Sequence, residues 1–176
     1  MDNLKIISNE DLNKIAESRI GEKKLHQALN HLSNSADLLN KINDPLIEFV
    51  LFGIKEDIGI RANKGCPGAK ETWDLVLKNL LNIQSNEFLN GSNILILGHL
   101  DFSNLYISHH STDQEKLLKT YRKQVEKIDQ SVNQLVYSIV KAGKTPIIVG
   151  GGHNNAYGVI KGCALALKTK INTINF

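Results

Sequence analysis

Two hydrophobic rhythms alternate along the chain. LIEFVLFGI (46–54), NILILGHLDF (93–102) and TPIIVGGG (145–152) are short, nearly unbroken apolar runs bounded by turn residues. Such runs read as strands buried on both faces. Between them the period changes. Leu117, Leu118, Tyr121, Val125, Ile128, Val132, Leu135, Val136 and Ile139 recur at steps of three and four, which predicts one long helix over 113–141. Gly143 supplies its stop. A shorter helix is expected from about Lys70 through TWDLVLKNLLNI, and a small-residue-rich one over 155–167. KINTINF (170–176) reads as the opening of a fourth strand. Strands alternating with helices predict an α/β fold, a three-layer α/β/α arrangement around a mainly parallel sheet with right-handed crossovers.

Residues 1–44 have a different texture. They are polar, with Leu25, Leu29, Leu32 and Leu39 near helical spacing, and are expected as a helical extension laid on a core formed by 45–176. KEDIGIRANKGCPGAKE (55–71), punctuated by Gly59, Gly65, Pro67 and Gly68, reads as a loop.

Composition narrows the function classes. The 176 residues are 41% hydrophobic and 22% charged, with a net charge of +3 and a pI near 8.8. A charge that small, spread evenly, argues against a nucleic-acid-binding face. No apolar run approaches the ~18 residues needed to cross a bilayer, and the N-terminus lacks a signal-peptide core. Cys66 and Cys163 have no C-x-x-C spacing. Reduced thiols in a soluble cytoplasmic protein are the expectation.

In a parallel α/β sheet, ligands collect at the carboxyl ends of the strands. The GGGHNN turn (150–155) stands at such an end. Its spacing fits neither the G-x-x-x-x-G-K-[ST] nor the G-x-G-x-x-G phosphate cradle. An imidazole at His153, held by glycine-rich backbone, suits a transition-metal ion. Taken alone, a helix-capping or hydrogen-bonding role is the weightier reading. His99 and Asp101 alternate onto one side of their strand and could join His153 in a small metal site, although loop hydrogen bonding is the plainer role. Asp57 and Arg61 stand at the mouth of the first loop, where they could address an amino-acid substrate or form a salt bridge. Asn154 could face a substrate, or Asn154 or Asn155 could cap the next helix. His109 and His110 read as a solvated loop, and His26 and His31 as residues of the polar extension.

GGGHNNAYG resembles the first metal-binding motif of the ureohydrolases (arginase, agmatinase, formimidoylglutamase), with Gly151, Gly152 and His153 matching the G-G-x-H turn. The G-G-G-H-[DN]-x-A-Y-G form is most similar to the formimidoylglutamase branch. Upstream, Gly53, Asp57, Gly59, Pro67, Gly68 and Ala69 match that family's first loop. The resemblance covers the chain from about Pro45 onward. It implies an arginase-like fold and a two-manganese hydrolase acting on a guanidino or formimino C–N bond, formimidoylglutamate being favoured. It also implies a ligand role for His153 and a place facing metal-bound water or substrate for Asn154. The family draws its other ligands from later D-x-H-x-D and D-x-D motifs, which this sequence does not contain. The expectation is therefore the N-terminal part of such an enzyme, inactive alone, with an exposed sheet edge that could pair with a partner or a second copy. A complete, non-catalytic, partner-binding α/β protein is the alternative.

Overall fold

The three apolar runs become the centre of one sheet in a computed structural model, which describes residues 3–17, 20–106 and 113–174. Its strands are β1 (Leu4–Ile6), β2 (Asn30–His31), β3 (Phe49–Lys55), β4 (Ile94–Asp101) and β5 (Thr145–Val149). The spatial order is β1-β4-β3-β5, and β2 also pairs with β4. β3 runs parallel to both β4 and β5, β2 is parallel to β4, and only β1 is antiparallel among these pairs. The helices are α1 (Asn9–Ile15), α2 (Leu38–Ile42), α3 (Ile58–Ala62), α4 (Thr72–Leu81), α5 (Gln114–Lys141) and α6 (Asn155–Leu167).

Alternation along the central strands divides the interior into two layers. Val50, Phe52, Ile54, Leu95 and Leu97 pack with Ile128, Val132, Leu135, Val136 and Ile139 of the α5 stripe. On the other face, Leu51 and Ile96 pack with Trp73, Leu77 and Leu81 of α4 and with Leu12 of α1. The register of β3 on β4 slips between Leu51 and Phe52. α5 begins where its cap predicts, the Asp113 carboxylate accepting the Lys116 N–H at 3.1 Å.

α6 lies unusually close to α5, and two glycines one turn apart explain why. A Cβ added at Gly158 would stand 3.0 Å from the Asp129 carbonyl, and one at Gly162 2.9 Å from the Asn133 carbonyl. Only bare backbone fits against backbone at that range.

Three expectations are corrected. Residues 1–44 are not a helical layer laid on a finished core. β1 and β2 join the edge of β4, and Leu12, Leu25, Leu29, Leu32, Leu38 and Ile42 are buried in the core, whereas Leu39 is exposed. The leucine spacing arises from a path of short helices, turns and short strands that returns these side chains to the interior. Within the first loop, residues 58–62 form the short helix α3. Of the expected fourth strand, residues 171–174 form none: a left-handed Lys168 ends α6 and the segment that follows does not pair with the sheet, while 175–176 lie outside the described residues.

Candidate functional site

The crossover after β3 leads to α4 on one face of the sheet, while β4 and β5 lead to α5 and α6 on the other. The carboxyl end of β3 therefore has a crevice on each side, the position where ligands enter open α/β sheets.

The crevice toward β5 is filled by side chains. Gly150 and Gly151 take successive left-handed conformations (φ +86° and +75°), turning the chain sharply out of β5. A Cβ at Gly151 would meet the Asn155 amide nitrogen at 2.4 Å and the Glu56 carboxylate at 3.3 Å. The turn thus folds around Glu56, which is fully buried. Glu56 Oε2 accepts the backbone N–H groups of Ile58 (2.7 Å) and Gly59 (3.2 Å), and Oε1 accepts the Gly152 N–H (2.8 Å) and Asn155 Nδ2 (2.6 Å). Four donors replace the water that a buried carboxylate loses.

His153 sits between the two residues that Glu56 holds. Its side chain is exposed at the tip of β5, and its imidazole has no hydrogen bond or ion pair to the described residues. Its carbonyl accepts the Ala156 N–H at 3.1 Å, so the backbone is tied down while the ring is free.

Asn154 and Asn155 turn inward. The Asn154 amide lies over Gly59 and Gly152, where a Cβ on either glycine would come within 2.3 Å of it, and both its polar atoms are buried without a partner. It makes no capping bond to α6. Asn155 Nδ2 bonds Glu56 and the Gly152 carbonyl instead of capping the helix.

Asp57, expected at the mouth of the loop, is fully buried. Its Oδ1 accepts from Arg61 Nε and from the Tyr106 hydroxyl, each at 2.9 Å, and its Oδ2 accepts the Gly68 N–H at 3.0 Å. The Asp57 N–H donates back to Tyr106 Oη at 2.9 Å. Burial opposes the charged form, but the bonds from Arg61, Tyr106 and Gly68 outweigh it and hold the carboxyl below the usual range. Burial, foremost, raises the Tyr106 phenol well above its ordinary value. The salt-bridged loop is what the chain builds here, and both Asp57 oxygens are spent inside it.

The crevice toward β4 is open. A cleft of about 460 Å³ is lined by Lys55, Lys70, Glu71, His99, Asp101 and Tyr106, among others. Burial, then the Lys55 charge, lowers the His99 pKa. Asp101 Oδ1 accepts the Ser103 N–H at 2.8 Å. His99 and Asp101 do not assemble with His153: among the described residues, no three histidine, cysteine or acidic side chains group as a metal site. A two-manganese centre therefore does not fit the donors present: the imidazoles of His153 and His99 do not come together, and the Glu56 carboxylate is already saturated by N–H groups.

Of the remaining candidates, His26 is buried with Nδ1 donating to the Leu81 carbonyl at 3.1 Å, and Cys66 and Cys163 are free thiols. His109 and His110 lie outside the described residues. Glu56 is the residue that sequence reasoning missed. Its one signal was an acidic pair, Glu56-Asp57, directly after a strand buried on both faces.

A family model described as "Arginase family" matches residues 47–176. The crystal structure of Trypanosoma cruzi formiminoglutamase with Mn2+ superposes with a TM-score of 0.51 at 18% identity, covering 82% of this chain and 41% of that one. An arginase superfamily protein from Trypanosoma cruzi gives 0.50 at 18%, with the same coverages of 82% and 41%. At that identity the likeness is one of fold. The chain spans 41% of the length of these solved relatives. Among curated proteins nothing matches. No described helix is long and apolar enough to cross a membrane.

Proposed function

Because the chain belongs to the arginase family, we propose that it is the N-terminal part of a ureohydrolase-type hydrolase that cleaves a guanidino or formimino C–N bond, with formimidoylglutamate the favoured substrate. One observation carries the reading: His153 is the exposed, unpartnered side chain of a turn whose backbone is otherwise locked. Because the ring is exposed at the carboxyl end of the sheet while its backbone is held, both ring nitrogens are open to a ligand from outside the described residues. The substrate assignment is supported by the G-G-G-H-N-N-A-Y-G wording and by the formiminoglutamase, crystallised with Mn2+, among the structural neighbours.

In this role His153 is one ligand of a manganese site whose other ligands lie outside the described residues, and the chain alone does not turn over substrate. Asp57 and Asn154 serve the site by shaping it, since their polar atoms face Arg61, Tyr106, Gly59 and Gly152. The test loads the 176-residue chain with manganese, desalts it, and measures retained metal together with formamide and urea release. Fewer than two retained ions and no turnover are expected. Two tightly held ions, or sustained hydrolysis, would overturn the ligand assignment.

A second reading is favoured by a different observation. β5 pairs only with β3 among the described strands, Ile147 on it is 40% exposed, and Tyr157, Leu165 and Leu167 of α6 are also exposed. A sheet edge in this state pairs readily with another strand. A partner-binding role without catalysis, or oligomerisation through this edge, would use that surface.

A further inference from the structure

Glu56 has no cationic partner among the described residues, yet among them its carboxylate carries the side-chain hydrogen bonds that join the first loop to the GGGHNN turn. Two of its four donors belong to the start of α3, and the other two, Gly152 and Asn155, bracket His153 and Asn154 on either side. The short contacts extend the same join: Asn154 fills the space over Gly59, and Gly151 passes 3.3 Å from Glu56 at the Cβ position. The bonds within the turn begin at the Gly152 carbonyl and leave Gly150 and Gly151, two successive glycines with wide backbone choice, unfixed. An outside tether must select one conformation. Of the side chains in contact with the turn, Glu56 is the one that bonds it on both sides of His153.

We propose that Glu56 is the positioning residue of the His153 turn: it acts through Gly152 and Asn155 to fix where the imidazole is presented, and it never touches ligand itself. The proposal rests on His153 being the functional side chain, but the clamp exists whether or not metal binds. Substituting glutamine keeps the shape of Glu56 while turning one of its two acceptor oxygens into a donor, which then faces N–H groups. The turn, or the first residues of α3, loses its partner and samples other conformations, while the sheet, held by the two hydrophobic layers, stays intact.

The test compares wild type, Glu56→Gln and Asn155→Ala in the 176-residue chain by residue-resolved amide hydrogen exchange and by the His153 imidazole NMR signal. In Glu56→Gln, exchange at Gly152 and Asn155 is expected to rise at least tenfold, with exchange in β3 and β4 changed less than twofold. The His153 ring signal should broaden or split while that of buried His26 stays put. A purely structural Glu56 would instead raise exchange uniformly across β3, β4 and the turn and leave a single His153 signal; that result overturns the proposal, as does unchanged exchange at Gly152. Should Glu56→Gln fail to fold, Asn155→Ala decides. A severalfold rise confined to residues 152–156 supports the clamp, and no local change refutes it. Failure of manganese binding leaves these readouts untouched, so the two readings fail separately.

Discussion

At the scale of single residues, two adjacent acids do opposite jobs. Glu56 is satisfied by neutral N–H donors and joins two loops; Asp57 is satisfied by Arg61, Tyr106 and Gly68 and folds one loop on itself. The Asp57 carboxyl titrates below its unfolded value of about 3.9. Its stabilisation is therefore complete above that pH and disappears as pH falls through the lower, folded value. Asp57→Asn should cost about 1.5–3 kcal/mol at pH 7, the worth of hydrogen bonds to a charged group. The gap to wild type should narrow as both are acidified below pH ~4, measured by urea unfolding. A gap independent of pH would mean that the charge contributes nothing. Neither acid's burial was legible in the sequence. A Glu-Asp pair before a glycine-rich loop normally reads as solvated, and only the return of the chain through Gly152 closes the pocket around Glu56.

Among elements, those whose stability is written in side-chain period were legible. α5, α6 and the three central strands carry enough apolar residues on the right faces to specify themselves. β1 and β2 do not: β2 is Asn30 and His31, and it is a strand only because the edge of β4 offers backbone partners. Residues 171–174 are the converse, with strand-like composition and no pairing. The α5–α6 contact decides between two competing effects at Gly162. Alanine there would gain up to ~1 kcal/mol of helix propensity but would place a methyl group 2.9 Å from a carbonyl oxygen and from Val136 Cβ. Overpacking of that kind costs ~1–3 kcal/mol, and it should win. Gly162→Ala is expected to destabilise by about 1–2 kcal/mol in chemical denaturation, with exposed Leu165→Ala within ~0.5. A stabilised Gly162→Ala variant would show that the helices can separate freely.

Among the described residues, the short strands β1 and β2 cover one edge of the long central strands, while β5 pairs only with β3. With that edge unpaired and Ile147 on it 40% exposed, the isolated chain should self-associate in the micromolar range by sedimentation velocity, and Ile147→Lys should reduce the association. A concentration-independent monomer would contradict this. The placement of His153 on the same side of the fold links the two questions. A strand added along β5 would end near the turn that carries the imidazole, in keeping with a site completed from outside the described residues.

Manganese titration followed by paramagnetic line broadening tests that idea most directly, because it detects a weak, single-ligand contact. Broadening should centre on residues 151–155, at weak affinity, and vanish in His153→Ala. Broadening centred on the His99–Asp101 cleft, or unaltered by loss of His153, would contradict the assignment of this imidazole as the chain's manganese ligand.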